Sequence, residues 1–425
     1  MLIDDGRSNS VVSPGLLAAA AASLLLILSP ERASAIAPTQ DLNVKTDCGA
    51  AGDGSTDDTT SIQACITTAA ASGQGIYFPP GTYKITSALT ISSGNMLLHG
   101  TNSGTTRIVQ YTAADNLFTI ANSGNPVNQV SLRNLQLEYD AANPAGITVY
   151  CDDCWRTTFY HIIFGDPGTA HLFTTGIWAT GGNQVFVEDS QFNVAGSQGM
   201  YFTGTGDVYL SNLEINGQAA DTTTTGIVFD SGVGGVYAVN VNVTSGETGY
   251  LFENTQAGGI VPKFGFFTNC LADTLNGEGW DFEAASSMRL TNSWAATGNY
   301  GILVKSVQGL SITDSRIYNN VSAGIWLRSG ATDVTIKDST ITANSRTSSG
   351  SFPGILVDAG VGRFQVLDNE IGAADGFSAT QSYGVVISTG ASDNFMLVGN
   401  DLQNNVTGEY SNGGTGSHKV IASNL

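Results

Sequence analysis

The chain predicts an all-β solenoid, a parallel β-helix closed at its start by one short helix. Three observations carry this. The composition is poor in charge and rich in glycine, with 12% charged residues and 52 Gly among 425 residues, where about a quarter charged and about 7% Gly are usual. Many Ser, Thr and Asn accompany them, which suits strands and tight turns. From residue 146 a glycine-led pattern recurs ten times, and its copies start 22 to 30 residues apart. Copies that short leave no room for crossover helices, so each is read as one coil stacked on the next.

The first element is an apolar run, Leu16–Leu28, of 13 residues. It is short for a membrane span and suits the apolar core of a signal peptide. Small residues at Ala33-Ser34-Ala35 and Ala35-Ile36-Ala37 offer cleavage points, although Asp4 and Asp5 outweigh Arg7 before the run. The alternative is an uncleaved anchor. Residues 1–37 are therefore expected to be a signal peptide, and the mature protein to be secreted or periplasmic and free of the membrane.

Residues 38–74 are expected to form an N-terminal cap. A helix around 58–72, started by Asp57 or a neighbour, turns Ile62, Cys65, Ile66 and Ala69 to one face. It suits the open end of the first coil. Cys48 and Cys65 flank this segment and can bridge across it. Cys151 and Cys154 are read as a local disulfide or two reduced neighbours, and Cys270 as a small buried hydrophobe. Four His in the chain, none beside the C-x-x-C, argue against zinc.

The solenoid is expected over 75–405, with 406–425 as a C-terminal cap or tail. Its copies read GITVY at 146, GIWAT at 176, GMYFT at 199, GIVFD at 226, GYLFE at 249, GWDFE at 279, GILVK at 301, GIWLR at 324, GILVD at 354 and GVVIS at 384. Positions one and three after the Gly are always apolar, the period of a strand with one buried face. A second strand follows and ends in Asn or Asp, as at Asp189, Asn212, Asn240, Asn269, Asn292, Asp314, Asp338 and Asp368. These types tolerate left-handed backbone and suit a sharp bend. Three places on, an apolar residue such as Phe192, Ile215, Ile317, Ile341 or Ile371 resumes the core.

The segment Asp47-Cys-Gly-Ala-Ala-Gly-Asp-Gly-Ser-Thr-Asp-Asp-Thr-Thr-Ser-Ile-Gln63, with Tyr77-Phe-Pro-Pro-Gly-Thr-Tyr83 after it, resembles the start of the pectate-lyase superfamily. It is most similar to the branch of polygalacturonases, rhamnogalacturonases, epimerase-like proteins and phage tailspikes. The resemblance implies a single-stranded right-handed β-helix that usually acts on polysaccharide. It carries no catalytic residue over, because the N-T-D, paired-Asp and G-H-G signatures do not occur together. Asp152-Asp153 alone echoes them.

Candidate chemistry comes from the repeat. If positions one and three face inward, two and four face out. Position four then reads Asp230, Glu253, Glu283, Lys305, Arg328 and Asp358 on six consecutive coils, and Asp281 lies at position two. Like charges on adjacent rungs destabilise a sheet unless a carboxyl is protonated, a cation intervenes or function requires them. Asp230, Glu253, Asp281 and Glu283 are the expected catalytic cluster, with Glu253 as general acid and Asp281 or Glu283 as base or nucleophile, since glycoside hydrolysis needs two carboxyls in different protonation states. Trp178, Tyr201, Trp326, Lys305, Arg328 and Asp358 are expected to hold the glycan. The bland alternative is a solvated face that only keeps the protein soluble.

The expected function is polysaccharide degradation as a glycoside hydrolase, without a cofactor. A uronan lyase ranks second; its neutralising charge would come from Lys305 and Arg328 or from a bound Ca²⁺. A carbohydrate-binding or structural β-helix ranks third. A net charge of −20 from 16 basic and 36 acidic residues excludes nucleic acid as a partner. The assembly is expected to be a monomer or homotrimer. Sequons at Asn242, Asn320 and Asn405 matter only in a glycosylating host, and His161 and His171 are weaker candidates for proton transfer.

Overall fold

The computed structural model describes residues 40–141, 144–166, 172–218, 222–373, 376–391, 394–414 and 416–425. The expected signal segment and His171 lie outside these residues. No helix among them is long and apolar enough to cross a membrane.

The chain winds into a parallel β-solenoid of about 13 turns. Three sheets run its length, in the order glycine-led, second and third within each coil. Glycine-led strands such as Thr225–Phe229 and Thr248–Phe252 pair in parallel, with Ile227 opposite Tyr250. Strands such as Thr332–Lys337 and Phe364–Leu367 build the second sheet. Short strands such as Trp294–Ala296 and Arg316–Tyr318 build the third. In the copies from Gly176 onward, positions one and three are all buried.

The expected corner residues from Asp189 to Asp368 all adopt positive φ, between 47° and 55°. This is the bend that Asn and Asp make at least cost. The leading glycines answer a close approach between coils. A Cβ on Gly249 would lie 2.4 Å from the Gly279 carbonyl oxygen, and one on Gly301 2.6 Å from that of Gly324.

The first copy is corrected. Val149 pairs with Ile177 and Tyr150 with Trp178, so this coil sits two residues out of the expected frame. Ile147 is only half-buried. Asp152, opposite Thr180, takes the position-four place that the pattern assigned to Tyr150.

The cap helix α1, Thr59–Ser72, buries Ile62, Cys65, Ile66 and Ala69 as expected. Asp57 Oδ1 accepts the Thr59 N–H at 3.0 Å at its start, and the Cys48–Cys65 disulfide ties it to the preceding loop. Cys151 and Cys154 are also bonded, and Cys270 is a buried free thiol. Strand pairing reaches beyond 75 and 405 at both ends. Leu42–Asn43 and Asp53–Asp57 already pair with Ile76–Phe78 and Gly81–Ile85. Gly408–Asn412 and Lys419–Ala422 complete a last coil.

Inside, rings stack from coil to coil: Phe229 on Phe252 at 5.0 Å, Phe252 on Phe282 at 4.5 Å and Tyr250 on Trp280 at 3.8 Å. These pairs form a rigid backing for coils 226–283. A buried amide ladder runs nearby. Asn320 Nδ2 donates to Asn344 Oδ1 at 2.8 Å, Asn344 to Gln381 at 2.9 Å and Gln381 to Asn405 at 3.0 Å. The three sequons differ in setting: Asn242 is exposed, Asn320 is fully buried, and Asn405 spends its amide on the Ile371 and Leu402 carbonyls.

Candidate active site

The glycine-led sheet gathers the expected residues on its outer face, coil by coil. Trp178 and Tyr201 occupy one end of the row, with ring centres 4.6 Å apart. The acids follow, and Lys305, Trp326, Arg328 and Asp358 occupy the other end. Pairing of Phe229 with Phe252 and of Phe252 with Phe282 places Asp230, Glu253 and Glu283 on successive rungs.

The four acids differ sharply. Asp230 is fully buried and saturated. It accepts the Tyr201 hydroxyl at 2.6 Å, the Ser231 N–H at 2.6 Å, the Thr255 N–H at 2.8 Å and the Thr255 hydroxyl. Burial alone would raise its pKa, but these bonds outweigh it and bring it down to about 2. Asp230 is a carboxylate whose bonds tie its own coil to the coils of Tyr201 and Thr255 on either side.

Glu253, on the next rung, is half-buried. Burial first, then the charges of Asp230 and Glu283, raise its pKa. Glu283 forms an ion pair of 2.5 Å with Lys305 on the following coil.

Asp281 shares the strand Glu278–Thr291 with Glu283. Its cross-strand neighbours are Leu251 below and Leu303 above. Among the described residues its buried Oδ1 has no hydrogen-bond partner. Burial, then the charges of Glu283 and Glu278, push its pKa up to about 7, against the pull of Lys305 and Arg328. A carboxyl in that range transfers protons at neutral pH.

Glu278 was missed by the repeat reading. It precedes Gly279 at the place held by Gln198, Thr225 and Thr248 on earlier coils, so an acid there breaks a neutral column, which is the legible signal. Burial leads the rise in its pKa.

The basic end forms a shallow groove of about 410 Å³ lined by Lys305, Arg328, Ser329 and Asp358. The Arg328 guanidinium lies 4.8 Å from the Trp326 ring centre, and the indole N–H of Trp326 donates to Asp358 at 2.9 Å. Such a fixed guanidinium suits a planar carboxylate. His161 sits at a corner of the second sheet, away from this face, and hydrogen-bonds Asn134 at 3.1 Å. Among the described residues no cluster of His, Cys, Asp and Glu has the arrangement of a metal site.

Two family descriptions cover nearly the whole solenoid. "Rhamnogalacturonase A/epimerase, pectate lyase-like" matches residues 42–251, and "Right handed beta helix region" matches residues 225–424. Together the two matches span residues 42–424, and both agree with the solenoid that the structure shows. A stretch of 138 residues, 30% of this chain, is 37% identical to mannuronan C5-epimerase AlgE6 of Azotobacter vinelandii, and spans only 15% of that protein. The A-module of the same epimerase superposes with a TM-score of 0.57 at 19% identity, covering 91% of this chain and 99% of the module. The N-terminal fragment of bacteriophage Phi29 gene product 12 gives a TM-score of 0.66 at 15% identity, over 84% of this chain and 66% of the fragment. Tailspike protein 3 of bacteriophage CBA120 gives 0.59 at 15% identity, over 90% and 61%. At these identities the superpositions establish the fold alone.

Proposed function

We propose that this protein is a polysaccharide hydrolase that works on the outer face of the glycine-led sheet. One observation carries the reading. Asp281 and Glu283 lie two residues apart on one strand face, and their surroundings divide their roles. Asp281 sits between leucines and holds its proton to about pH 7, while Glu283 is the anionic half of an ion pair. Pairs of carboxyls pushed apart in this way define the acid and its partner in glycoside hydrolysis.

In the proposed step Asp281 gives its proton to the glycosidic oxygen as the bond to the anomeric carbon breaks. Glu283 stabilises the cationic sugar and takes a proton from the water whose oxygen bonds to the anomeric carbon, and proton exchange with solvent then restores both carboxyls. Two strand residues span about 6.6 Å, at the lower end of the separation used by inverting enzymes. Glu253, the acid expected from the sequence, yields this role to Asp281, whose burial is deeper and whose pKa reaches about 7. Trp178 and Tyr201 offer apolar ring surface to a sugar at one end, and Lys305 and Arg328 offer positive charge at the other.

The basic pair favours one second reading, elimination from an acidic sugar, in which Lys305 and Arg328 neutralise the carboxylate while a neighbouring group takes the proton next to it. The test is incubation of the mature protein and of Asp281→Asn with a panel of acidic polysaccharides. New reducing ends, without ultraviolet absorbance of an unsaturated product and reduced by Asp281→Asn about 10²–10⁴-fold, support hydrolysis. Unsaturated products would replace it with elimination. Altered uronate stereochemistry without cleavage would place the activity with the epimerases. Export rests on the Leu16–Leu28 run and is tested by N-terminal sequencing of secreted material, which should begin near Ile36 or Pro38.

A further inference from the structure

We propose that a second, non-catalytic glycan site runs along the corner between the second and third sheets, and that it binds a neutral polysaccharide strand. This corner is separated from the glycine-led sheet by the full width of either neighbouring sheet, so it is independent of the acid row.

The corner is built by the left-handed turns. His161, Asp189, Asn212, Asn240, Asn269 and Asn292 succeed one another up the stack, each with φ between 48° and 55° except Asp189 at 47°. The third sheet supplies the facing wall. Gln191, Glu214, Asn242, Leu271, Trp294 and Arg316 are cross-strand neighbours in turn. Between the two columns lie cavities of about 570 Å³ and 230 Å³ that share Asn242. They adjoin at Asn242 and follow the corner from His161 to Asp314 as a furrow in two parts. Six steps between coils give it a length of about 29 Å, long enough for several sugar units of a chain lying along the axis.

The chemistry of the walls selects the ligand. Asn212 donates to Asp189 at 2.8 Å, Asn240 to Asn212 at 2.9 Å and Asn269 to Asn240 at 2.6 Å. Each link uses one amide N–H and one lone pair, and a primary amide has two of each. Exposed amides at coil spacing thus present a repeating donor and acceptor, the complement of a polyhydroxylated chain.

Further along, Trp294 lines the smaller cavity and offers ring surface to a sugar. The Trp294 ring meets Tyr318 edge-on at 5.1 Å, and Tyr318 lies 5.4 Å from the partly exposed Phe377. Asp189, Glu214 and Asp314 border the furrow, so with a net charge of −20 it disfavours polyanions. The sugar chain that fits is neutral.

The test is affinity electrophoresis of the mature protein in native gels cast with mixed-linkage β-glucan, galactomannan or xylan. The variant Asn212→Gly/Asn240→Gly removes two amides and keeps the left-handed corner, which glycine adopts freely. A second variant, Asn242→Arg, fills the junction of the two cavities from an ordinary strand position. Wild type is expected to be retarded by at least one of these polymers, with at least a tenfold weaker apparent affinity in both variants. Thermal unfolding near that of the wild type would show that the variants are folded. Met396→Ala, an exposed change on the distant strand Phe395–Val398, should leave retardation unchanged. The proposal is overturned if no polymer retards the wild type, if the corner variants bind as tightly as wild type, or if Met396→Ala alone abolishes binding.

Discussion

Glu283 grips Lys305 across one coil step at 2.5 Å, and the two members of this ion pair act on the Asp281 proton in opposite senses. Burial leads the rise in the Asp281 pKa, Glu283 adds to it, and Lys305 and Arg328 oppose it. Replacing Lys305 by Met removes an opposing charge and uncovers Glu283. Both effects move the Asp281 pKa upward. If Asp281 is the proton donor, the alkaline limb of kcat/KM shifts to higher pH in Lys305→Met. A limb that stays in place would mean that another group donates the proton.

The same carboxyl sets a dependence of stability on pH. Its ordinary value is 3.8 and its folded value about 7. Between these pH values the unfolded chain has released the proton while the folded chain still holds it, so stability falls as pH rises through the window. Asp281→Asn removes the titration. The variant is expected to gain on wild type in Tm between pH 4 and pH 8. Parallel Tm profiles would show that the carboxyl ionises freely in solvent.

Asp230 behaves in the opposite sense. Its folded pKa, brought down to about 2, lies below the ordinary 3.8. Its contribution is complete above pH 4 and is lost as pH falls toward 2. Asp230→Asn leaves donors of Tyr201, Ser231 and Thr255 in excess of acceptors, at a cost of about 1–3 kcal/mol. Chemical denaturation at pH 7 should show that loss, and the variant should lack this part of the acid sensitivity of the wild type.

The repeat made much of this legible in advance. Period two placed the core, and Asn or Asp at the strand ends placed the corners, because both follow from local backbone chemistry. The frame of the first coil was not legible. GITVY fits the pattern as well as its neighbours do, and only pairing with Ile177 shows that Val149, not Ile147, begins the inward run. The charge column was legible as a column but not as chemistry. Asp230 and Glu283 occupy the same repeat position, yet the partners that fix Asp230 are Tyr201 and Thr255, 29 and 25 residues away. The buried amide ladder was hidden for the same reason, since a stacked interior Asn looks like any other Asn in a turn-rich chain.

The glycine column gives a stability prediction free of the active-site reading. A Cβ on Gly301 would lie 2.6 Å from the Gly324 carbonyl oxygen and 2.5 Å from Ile317 Cγ2. The carbonyl oxygen belongs to the next coil's backbone, and the methyl is packed in the core, so neither yields freely. Gly301→Ala is expected to cost about 1–3 kcal/mol by overpacking. Unchanged denaturant midpoints would mean that the coils separate more easily than the regular pairing implies.

Expression in a glycosylating host discriminates among the three sequons. Asn320 donates from Nδ2 to Ala295 O at 3.3 Å and to Asn344 Oδ1 at 2.8 Å, and it is fully buried. Asn405 donates from Nδ2 to Ile371 O and Leu402 O, both at 2.8 Å. A glycan on either nitrogen would replace an interior hydrogen bond with a bulky polar chain. Asn242 is exposed on a strand of the second sheet that runs on into the third. Peptide mass spectrometry of folded, secreted protein should find glycan at Asn242 and none at Asn320 or Asn405. A glycan at Asn242 sits where the two corner cavities meet, so the same preparation should lose the retardation by neutral polysaccharide and regain it after enzymatic deglycosylation.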